Sequence, residues 1–193
     1  MHRQPAKVLE PEDVRLMLEH VGGQRRPERN QVIILLSSKA GLRACEIAGL
    51  TWPMVLDSGN QVGTAITVAR AIAKGGSGRS LPMHRSLQRA LAKLHRQEGF
   101  PLTGPVVRSE RNTHMTAASV VNWFGQLYRE LDMVGCSSHS GRRTFITTAA
   151  RLLARTGGSL RDIQELAGHR AITTTERYIQ GNRDAQRKLV ALL

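Results

Sequence analysis

The spacing of apolar residues predicts three helices at the start of the chain. Positions three or four apart form one apolar face in the first helix, which begins near Pro11. This face consists of Val14, Met17, Leu18 and Val21. The second helix follows a polar break at residues 24–30 and carries the apolar run 32–36, so we expect it to be buried on most sides. Gly41 ends it, and a third, short helix is predicted over residues 42–50.

Between residues 61 and 83 the pattern changes from helical to β. Branched apolar residues return at the spacing of a strand, a glycine-rich run occupies residues 75–78, and a second apolar stretch follows it. This predicts a small antiparallel sheet with Lys74 at its hairpin. A lysine beside such a turn is usually only solvated, although a mobile loop can also deliver it to a reaction as a proton donor.

Helical periodicity dominates the rest of the chain. Helices are predicted over residues 86–98, 116–133, 142–155 and 159–167, with a loop at residues 100–114. Ser159 with Asp162 resembles a capping box, and Thr173 with Glu176 repeats that pattern at the start of a helix that presents Tyr178. A last short helix is predicted over residues 184–193.

These elements define the fold class and the domain organisation. A chain of 193 residues is long enough for one domain with a hydrophobic core. We predict a mainly α fold with a small antiparallel β-sheet (α+β). Residues 1–8 are expected to be an N-terminal tail, and residues 9–193 to form the domain.

The charge of the chain indicates a polyanionic partner. Lys and Arg number 28 against 15 Asp and Glu, which gives a net charge of +13, and the basic residues are spread through the chain. Such an excess favours nucleic acid over the alternative of a merely soluble basic surface.

The cysteines and the apolar runs argue against several other classes. Cys45 and Cys136 form no CxxC pair, which argues against a disulfide scaffold and a zinc site and is typical of a reducing cytoplasm. The N-terminus has no apolar signal core, and no run approaches the roughly 18 apolar residues of a membrane span. We therefore expect a cytoplasmic protein that does not act at a membrane.

Candidate catalytic residues are concentrated between residues 139 and 178. His139 and Arg142 form a His-x-x-Arg pattern, His169 follows a glycine, and Tyr178 lies nine residues further on. A tyrosine can attack a phosphodiester, an arginine can neutralise charge on the phosphate, and a histidine can move a proton or donate a hydrogen bond. His-x-x-Arg alone is a weak signal, because it occurs by chance in many chains.

Two residues in the first half of the chain extend this set. Arg43 and Glu46 are three positions apart on the predicted third helix, so the carboxylate can hold the guanidinium in place. The alternative is an exposed ion pair, which would contribute little. Tyr128 is the one competitor for the role of nucleophile, and packing explains it because its helix is amphipathic.

The order of these residues resembles the catalytic motifs of the tyrosine recombinase (phage integrase) family. Segment 41–47, which reads GLRACEI, resembles the first arginine box of that family. Lys74-Gly75, followed by Arg79 and Leu81-Pro82, resembles the β-hairpin that carries its catalytic lysine.

The second half of the chain supplies the remaining motifs. His139-x-x-Arg142 resembles the second box, and the segment ending in Gly168-His169, with Tyr178 nine residues after the histidine, resembles the closing segment. All six catalytic positions are filled in family order. Gly141 departs from the pattern, since the family usually has a larger apolar residue there.

The resemblance implies a phosphoryl transfer that requires neither a metal nor a cofactor. Arg43 and Arg142 would offer forked donors to the non-bridging oxygens of the phosphate. Tyr178 would attack and form a 3′-phosphotyrosine, which retains the bond energy, so that strands can be rejoined without ATP. The sequence shows no carboxylate cluster that would hold Mg²⁺.

The other motif residues would transfer protons or position these groups. By the resemblance, Lys74 would protonate the departing 5′-oxygen, and His139 would assist proton transfer at the tyrosine. His169 would donate a hydrogen bond to the phosphate. Glu46 would orient Arg43 or His139.

The resemblance also implies a fold, a function and partners. We expect a tyrosine recombinase catalytic domain with the DNA breaking-rejoining fold, acting on double-stranded DNA as a site-specific recombinase or integrase. Because the catalytic pattern begins close to Met1, no core-binding domain is expected in this chain. It would be a fragment or a naturally short member, similar to the single-domain invertases that switch fimbrial genes. Residues 184–193 would pack on a neighbouring protomer in a homo-oligomer assembled on DNA.

Three other functions stay open. A type IB topoisomerase-like enzyme would use the same chemistry without strand exchange, and the C-terminal segment favours recombination over it. A catalytically idle DNA-binding regulator is disfavoured because no catalytic position is lost, and a metal-dependent nuclease lacks the carboxylates it would need. These motifs specify neither the target DNA nor the outcome among integration, excision, inversion and resolution.

Overall fold

The computed structural model is mainly helical, which confirms the predicted fold class. The structure describes residues 5–73, 76, 78–176, 178, 187, 190 and 191. Its helices in that part of the chain are α1 (Pro11–Gly22), α2 (Pro27–Lys39), α3 (Ala44–Gly49), α4 (Arg85–Gln97), α5 (Ala117–Glu130), α6 (Ser140–Thr156), α7 (Leu160–Ala167) and α8 (Ile172–Glu176), with a 3-10 turn at Trp52–Met54. None of these described helices is long and apolar enough to cross a bilayer.

A two-stranded antiparallel sheet forms the β part, as predicted. Strand β1 (Ala65–Val68) pairs with β2 (Arg79–Pro82), and the register places Val68 opposite Arg79 at the hairpin end. Arg79 is therefore the first residue of the returning strand. Lys74, predicted at the hairpin between the strands, lies outside the described residues.

Helix α2 lies at the centre of the fold and contacts α1, α4 and α6. Its apolar run is buried, as predicted, but the helix begins at Pro27, so the predicted polar break at residues 24–30 is too long. Arg29 and Asn30 are buried in the first turns of the helix. They can be buried because the Arg29 guanidinium donates to Asn30 Oδ1 (3.1 and 2.8 Å) and to the Arg108 carbonyl (3.0 Å).

Both ends of α7 carry the signals that the sequence predicted. Ser159 and Asp162 form the capping box, in which the Ser159 backbone N–H donates to Asp162 Oδ2 at 2.7 Å. Gly168 follows the helix with a φ of 63°, in the left-handed region that favours glycine. The chain therefore turns sharply and returns His169 toward α7.

The helix predicted to present Tyr178 is shorter than expected. Helix α8 begins at Ile172, one residue before the predicted N-cap Thr173, and ends at Glu176. Tyr178 lies in the turn after α8, where its backbone N–H donates to the Thr175 carbonyl at 3.0 Å. The helix therefore presents the tyrosine from the turn at its C-terminal end, because local propensity is too weak to set the ends of such a short helix.

The predicted C-terminal helix at residues 184–193 lies largely outside the described residues. Arg187, Val190 and Ala191 are described, and the Ala191 N–H donates to the Arg187 carbonyl at 3.0 Å. This bond has helical spacing. The packing of the segment on a neighbouring protomer stays a prediction.

Apolar side chains are buried in two clusters of unequal size. The main core extends from α1 to α5 and includes the sheet. A satellite cluster, defined by Ile146, Ile163 and Ala167, lies between α6 and α7. Tyr178 packs against this satellite cluster, so its position depends on the smaller of the two clusters.

Candidate active site

Arg43 and Glu46 lie at the beginning of α3. Arg43 is the N-cap residue, and its backbone N–H donates to Glu46 Oε2 at 2.9 Å. The Arg43 guanidinium donates to the other carboxylate oxygen at 3.1 Å. Glu46 has no exposed surface. The pair is therefore not the exposed ion pair that the sequence alone left open.

Arg79 is a third member of this group, and the sequence motifs gave it no role. From the start of β2, its guanidinium donates to both oxygens of Glu46, at 2.9 and 3.1 Å, and its Nε donates to the Leu166 carbonyl at 2.9 Å. Burial would raise the pKa of Glu46, but the hydrogen bonds and charges of Arg79 and Arg43 hold this pKa below its ordinary value. The only signal in the sequence was an arginine five positions after Lys74.

Arg142 lies in the first turn of α6 and is 3% exposed. Its two terminal nitrogens donate to the carbonyls of Gly41 and Ala167, each at 2.6 Å. Burial, together with the nearby charge of Arg43, lowers the pKa of Arg142 to about 10, so the side chain remains charged at neutral pH. A guanidinium has five N–H donors, so donors remain for an anion.

The carbonyl that holds Arg142 depends on a glycine. Gly41 has a φ of 63°, and a Cβ at this position would lie 2.5 Å from the ring of Phe145. Glycine therefore permits both the left-handed backbone and the close approach of α6. The first arginine box and the His-x-x-Arg motif meet at this point.

His169 is buried beside the arginines. Its ring Nδ1 lies 2.9 Å from Thr175 Oγ1. Burial, together with the positive charges of the three arginines described above, lowers the pKa of His169 to about 4. The ring is therefore neutral at neutral pH, and its second nitrogen can make one hydrogen bond as a donor or an acceptor, depending on the tautomer.

Tyr178 lies directly against His169. The two rings stack with centroids 5.7 Å apart and planes inclined by 21°, and the guanidinium carbon of Arg143 lies 5.8 Å from the tyrosine ring centroid. Tyr178 is half-buried and lines a cleft of about 560 Å³ together with His139, Arg143 and Val121. The ring is held by packing while the residue still borders open space.

His139 lies at the N-cap of α6 and is exposed. Its backbone N–H donates to Ser137 Oγ at 3.3 Å. His139 and Tyr178 line the same cleft, so the structure brings the two together as the motifs implied. The hydrogen bonds of Glu46 go to Arg43 and Arg79, which favours the first of the two orienting roles expected for this carboxylate.

Two further expectations concern residues away from this group. Lys74 lies outside the described residues, so its placement stays a prediction. Tyr128 is buried in α5, where its ring stacks on Phe124 with centroids 5.9 Å apart, and burial raises its pKa. This is the environment of a packing residue, in agreement with the amphipathic pattern of its helix.

The arrangement has the properties of a phosphodiester site. Three arginines surround a single carboxylate, which leaves an excess of positive charge next to a neutral histidine and a tyrosine. Guanidinium groups fixed in this way can stabilise charge that develops on a phosphate. Among the described residues, no group of three or more His, Cys, Asp or Glu side chains could hold a metal ion.

Several solved structures share this fold. The Tn1549 transposon integrase in complex with transposon right end DNA superposes with a TM-score of 0.76 at 21% identity, covering 100% of this chain and 67% of that chain. XerA recombinase gives a TM-score of 0.73 at 20% identity, covering 100% and 66%. A lambda integrase dimer bound to a COC′ core site gives 0.64 at 17% identity, covering 91% and 49%. The predicted fold, that of a tyrosine recombinase catalytic domain, is confirmed.

Two curated relatives show similarity in sequence as well. Tyrosine recombinase XerC of Mesorhizobium japonicum is 31% identical over 153 residues, which cover 78% of this chain and 46% of that protein. Tyrosine recombinase XerD of Mycobacterium leprae is 28% identical over 191 residues, which cover 91% and 57%. The chain thus spans about half the length of the curated relatives it matches.

The family itself is shown by the match to a sequence model. The model of the Phage integrase family matches residues 7–184, which is most of the chain and includes every motif residue discussed above. The resemblance that the ordered motifs suggested is therefore confirmed, and the chain belongs to the phage integrase family.

Proposed function

We propose that this chain is the catalytic part of a site-specific DNA recombinase, which cuts and rejoins double-stranded DNA through a 3′-phosphotyrosine at Tyr178. The observation that carries the proposal is the position of Tyr178, stacked on a neutral His169 beside three arginines. The names of the relatives, tyrosine recombinases and integrases, support the same activity for this chain.

The arginines bind and stabilise the phosphate. Arg142 is fixed by two backbone carbonyls and Arg43 by Glu46, so neither guanidinium has to reorganise when charge develops on the non-bridging oxygens. Forked N–H donors match the geometry of a phosphate better than an ammonium does. This arrangement supplies positive charge without a metal.

Tyr178 attacks the phosphorus, and the 3′-oxygen of the cleaved strand stays attached to the enzyme through the phosphate. The phenol must lose its proton during attack, and His139 is the group in the same cleft that assists this transfer. His169, which is neutral at physiological pH, donates a hydrogen bond to a phosphate oxygen from its second nitrogen. When the free 5′-hydroxyl of a strand attacks, Tyr178 leaves and the strand is rejoined.

Lys74 is assigned to the leaving 5′-oxygen, which needs a proton. A substrate with sulfur at the bridging 5′ position has a good leaving group that needs no proton. We therefore expect Lys74→Ala to react slowly with normal DNA and to recover most of its rate with the sulfur substrate. Equal defects with both substrates would remove Lys74 from this role.

Trapping of the covalent intermediate tests the proposal. A preferred site is first selected by binding from a pool of random duplexes. The chain is then incubated with a nicked suicide duplex that carries this site in place of the native attachment site. We expect a protein–DNA band that survives denaturation and forms equally well with a metal chelator present. Binding without any adduct would instead indicate an idle DNA-binding regulator, and an adduct that requires a metal would contradict the mechanism.

Partners and assembly form a further part of the proposal. The Tn1549 integrase was solved with DNA, and lambda integrase was solved as a dimer on its core site. We infer that this chain also binds duplex DNA and assembles on it as a homo-oligomer through residues 184–193. Deletion of this segment should weaken binding to a paired full site more than binding to a single half-site. An equal loss on both sites would contradict the inference.

The compartment follows from the substrate and from the thiols. Cys45 and Cys136 are both free cysteines. Free thiols and a DNA substrate fit the reducing cytoplasm, where we place the reaction.

A further inference from the structure

Arg79 is placed unlike an arginine that binds DNA directly. Its side chain is 7% exposed, and all three of its nitrogens are engaged, two by Glu46 and one by the Leu166 carbonyl. Two of its five N–H donors are left over, but both oxygens of Glu46 occupy its fork and offset its charge, whereas Arg142 is held by neutral carbonyls. The guanidinium therefore acts on the protein itself rather than on the substrate.

The partners of Arg79 lie next to residues with assigned roles in catalysis. Glu46, which receives the fork of Arg79, also accepts hydrogen bonds from the backbone N–H and the guanidinium of Arg43. Leu166 belongs to the last turn of α7, three residues before His169. Arg79 thus connects the start of α3 to the end of α7.

Close packing reinforces this connection. A Cβ on Gly168 would lie 2.9 Å from Arg79 Nη1 and 3.1 Å from its Cδ, so the guanidinium lies flat against the residue that precedes His169. Gly168 also has a φ of 63° and needs to be glycine for that reason alone. The turn that presents His169 is therefore fixed on one side by α7 and on the other by Arg79.

The hairpin is the third structure that Arg79 connects. Arg79 is the first residue of β2, paired with Val68, and it lies five positions after Lys74. The two hydrogen bonds from Arg79 to Glu46 attach this first residue of β2 to α3. The start of β2, five positions after Lys74 in sequence, is consequently attached to the arginine cluster by this side chain.

From this placement we propose that Arg79 is a positioning residue of the reaction, which sets Arg43, His169 and the base of the Lys74 hairpin in one fixed arrangement. The proposal rests on the proposed function, since the arrangement of Arg43, His169 and the hairpin base matters only if the site transfers phosphate. The positive charge of Arg79 has a second effect, which concerns His169. Together with burial and the charges of Arg142 and Arg43, the charge of Arg79 keeps His169 neutral next to the Tyr178 ring.

Two substitutions separate the effect of the paired hydrogen bonds of the Arg79 guanidinium from the effect of its positive charge. Arg79→Lys keeps the positive charge beside Glu46, but a single ammonium cannot bind both carboxylate oxygens and the Leu166 carbonyl in the same geometry. Arg79→Met removes the charge as well and keeps much of the apolar stem. Arg96→Met, which removes one positive charge from an exposed position on α4, is the matched control.

The first measurement is the rate of adduct formation on the nicked suicide duplex, next to the affinity for intact duplex. We expect Arg79→Lys and Arg79→Met each to form adduct about 10²-fold more slowly, because misplacement by about 1 Å is enough for such a loss. Their DNA affinity should change no more than that of Arg96→Met. Adduct rates equal to that of Arg96→Met would overturn the proposal.

The second measurement is an NMR titration of His169 in the free protein, with the resonance assigned by its absence in His169→Gln. The pKa of His169 should rise in Arg79→Met, which lacks one of the three cations, and should stay low in Arg79→Lys. An unchanged pKa in Arg79→Met would overturn the proposal, as would the failure of Arg79→Lys to fold. If the unsubstituted chain forms no adduct, the proposed function fails, and the titration still decides whether the charge of Arg79 keeps His169 neutral.

Discussion

The arginine side and the tyrosine side of the site differ in how firmly the fold holds them. Arg142 is almost fully buried and is tied to two backbone carbonyls at 2.6 Å, one of them 101 residues away in sequence. Tyr178 follows a helix of five residues, and its ring packs on His169 and on the small satellite cluster. The charges are fixed by the centre of the fold, whereas the proposed nucleophile is held by a short segment at its edge.

The difference corresponds to the roles that we propose for the two groups. Donors that stabilise developing charge are most effective when they are fixed in advance and shielded from water, so burial favours the arginines. A nucleophile has to meet a bulky DNA strand, so it needs open space, which the cleft beside Tyr178 provides. A segment with few buried apolar contacts also opens at lower free energy than the core, so the tyrosine side can adjust to the substrate.

The largest effect is expected on the tyrosine side. Tyr178→Phe removes one hydroxyl and keeps the ring, so its stacking on His169 should persist. We expect the covalent adduct to disappear on denaturing gels with the nicked duplex. Affinity for intact duplex should be nearly unchanged, because the arginines remain in place.

Tyr128→Phe is the matched control for this substitution. It removes the hydroxyl of the second of the two tyrosines in the chain, whose ring is buried against Phe124. We expect adduct formation at the normal rate. The assignment of the nucleophile is wrong if Tyr178→Phe still forms adduct while Tyr128→Phe does not.

A smaller but still large effect is expected on the arginine side. In Arg142→Lys the charge is kept, but an ammonium cannot bind the Gly41 and Ala167 carbonyls and also offer a fork to a phosphate. Single-turnover cleavage should slow by roughly 10²–10³-fold. Arg151→Lys, at an exposed position of the same helix, should cleave normally. Near-normal cleavage by Arg142→Lys would rule out direct phosphate binding.

The boundary between the two sides can be tested by pH, because His169 stacks on Tyr178 and its pKa depends on the charges of the arginines. Its pKa is about 4 in the folded protein, below the ordinary 6.5. Above pH 6.5 neither the folded nor the unfolded form carries the proton, whereas between pH 6.5 and 4 only the unfolded form gains it. The free energy of unfolding should therefore fall as the pH drops through this window, by roughly 2–3 kcal/mol for His169 alone. Urea denaturation at a series of pH values measures this loss.

His169→Gln is the control for the pH series, since glutamine does not titrate. Other titrating groups affect the free energy of unfolding of both proteins. The difference between the two pH curves therefore reports the contribution of His169. We expect this difference to change between pH 6.5 and 4 and to be constant above pH 7. A difference that does not change with pH would show that His169 is not held neutral by its surroundings.

The smallest effect is expected for the packing of α6, which carries Arg142, against α2 in the core. A Cβ on Gly141 would approach Ser37 Cβ of α2 to 2.9 Å, which explains why glycine stands where the family usually has a larger residue. Gly141→Ala should lower the free energy of unfolding by roughly 1–2 kcal/mol, because overpacking outweighs the gain in helix propensity. Urea denaturation measures this change.

Gly125→Ala provides the opposite expectation for a helical glycine with room around it. A Cβ there has Arg129 Nη1 as its nearest neighbour, at 3.5 Å, which is an ordinary contact. This variant should be more stable by about 0.5–1 kcal/mol. Equal effects at the two glycines would mean that the close approach of α6 to α2 does not limit residue 141.

The sequence by itself determined the features that depend on short stretches of chain. The capping box of Ser159 and Asp162 and the left-handed Gly168 define α7, because each acts within about one turn of helix. The burial of α2 and the presence of the hairpin could also be predicted from the sequence, since both follow from the spacing of apolar residues and glycines. The motif residues could be named because their types and order match a known family.

Only the tertiary structure decided how these residues meet. Glu46 and Arg79 are 33 positions apart, and no local pattern indicates that the hairpin arginine forms a fork with the carboxylate. The burial of Arg29 at the start of α2 depends likewise on distant partners, the Arg108 carbonyl and the Glu110 carboxylate, which accept from its guanidinium. Periodicity tells which face of a segment is buried, but not which other segment buries it. Partners of buried charges are therefore set by packing between elements, and for this reason the sequence did not predict the partners of Arg79.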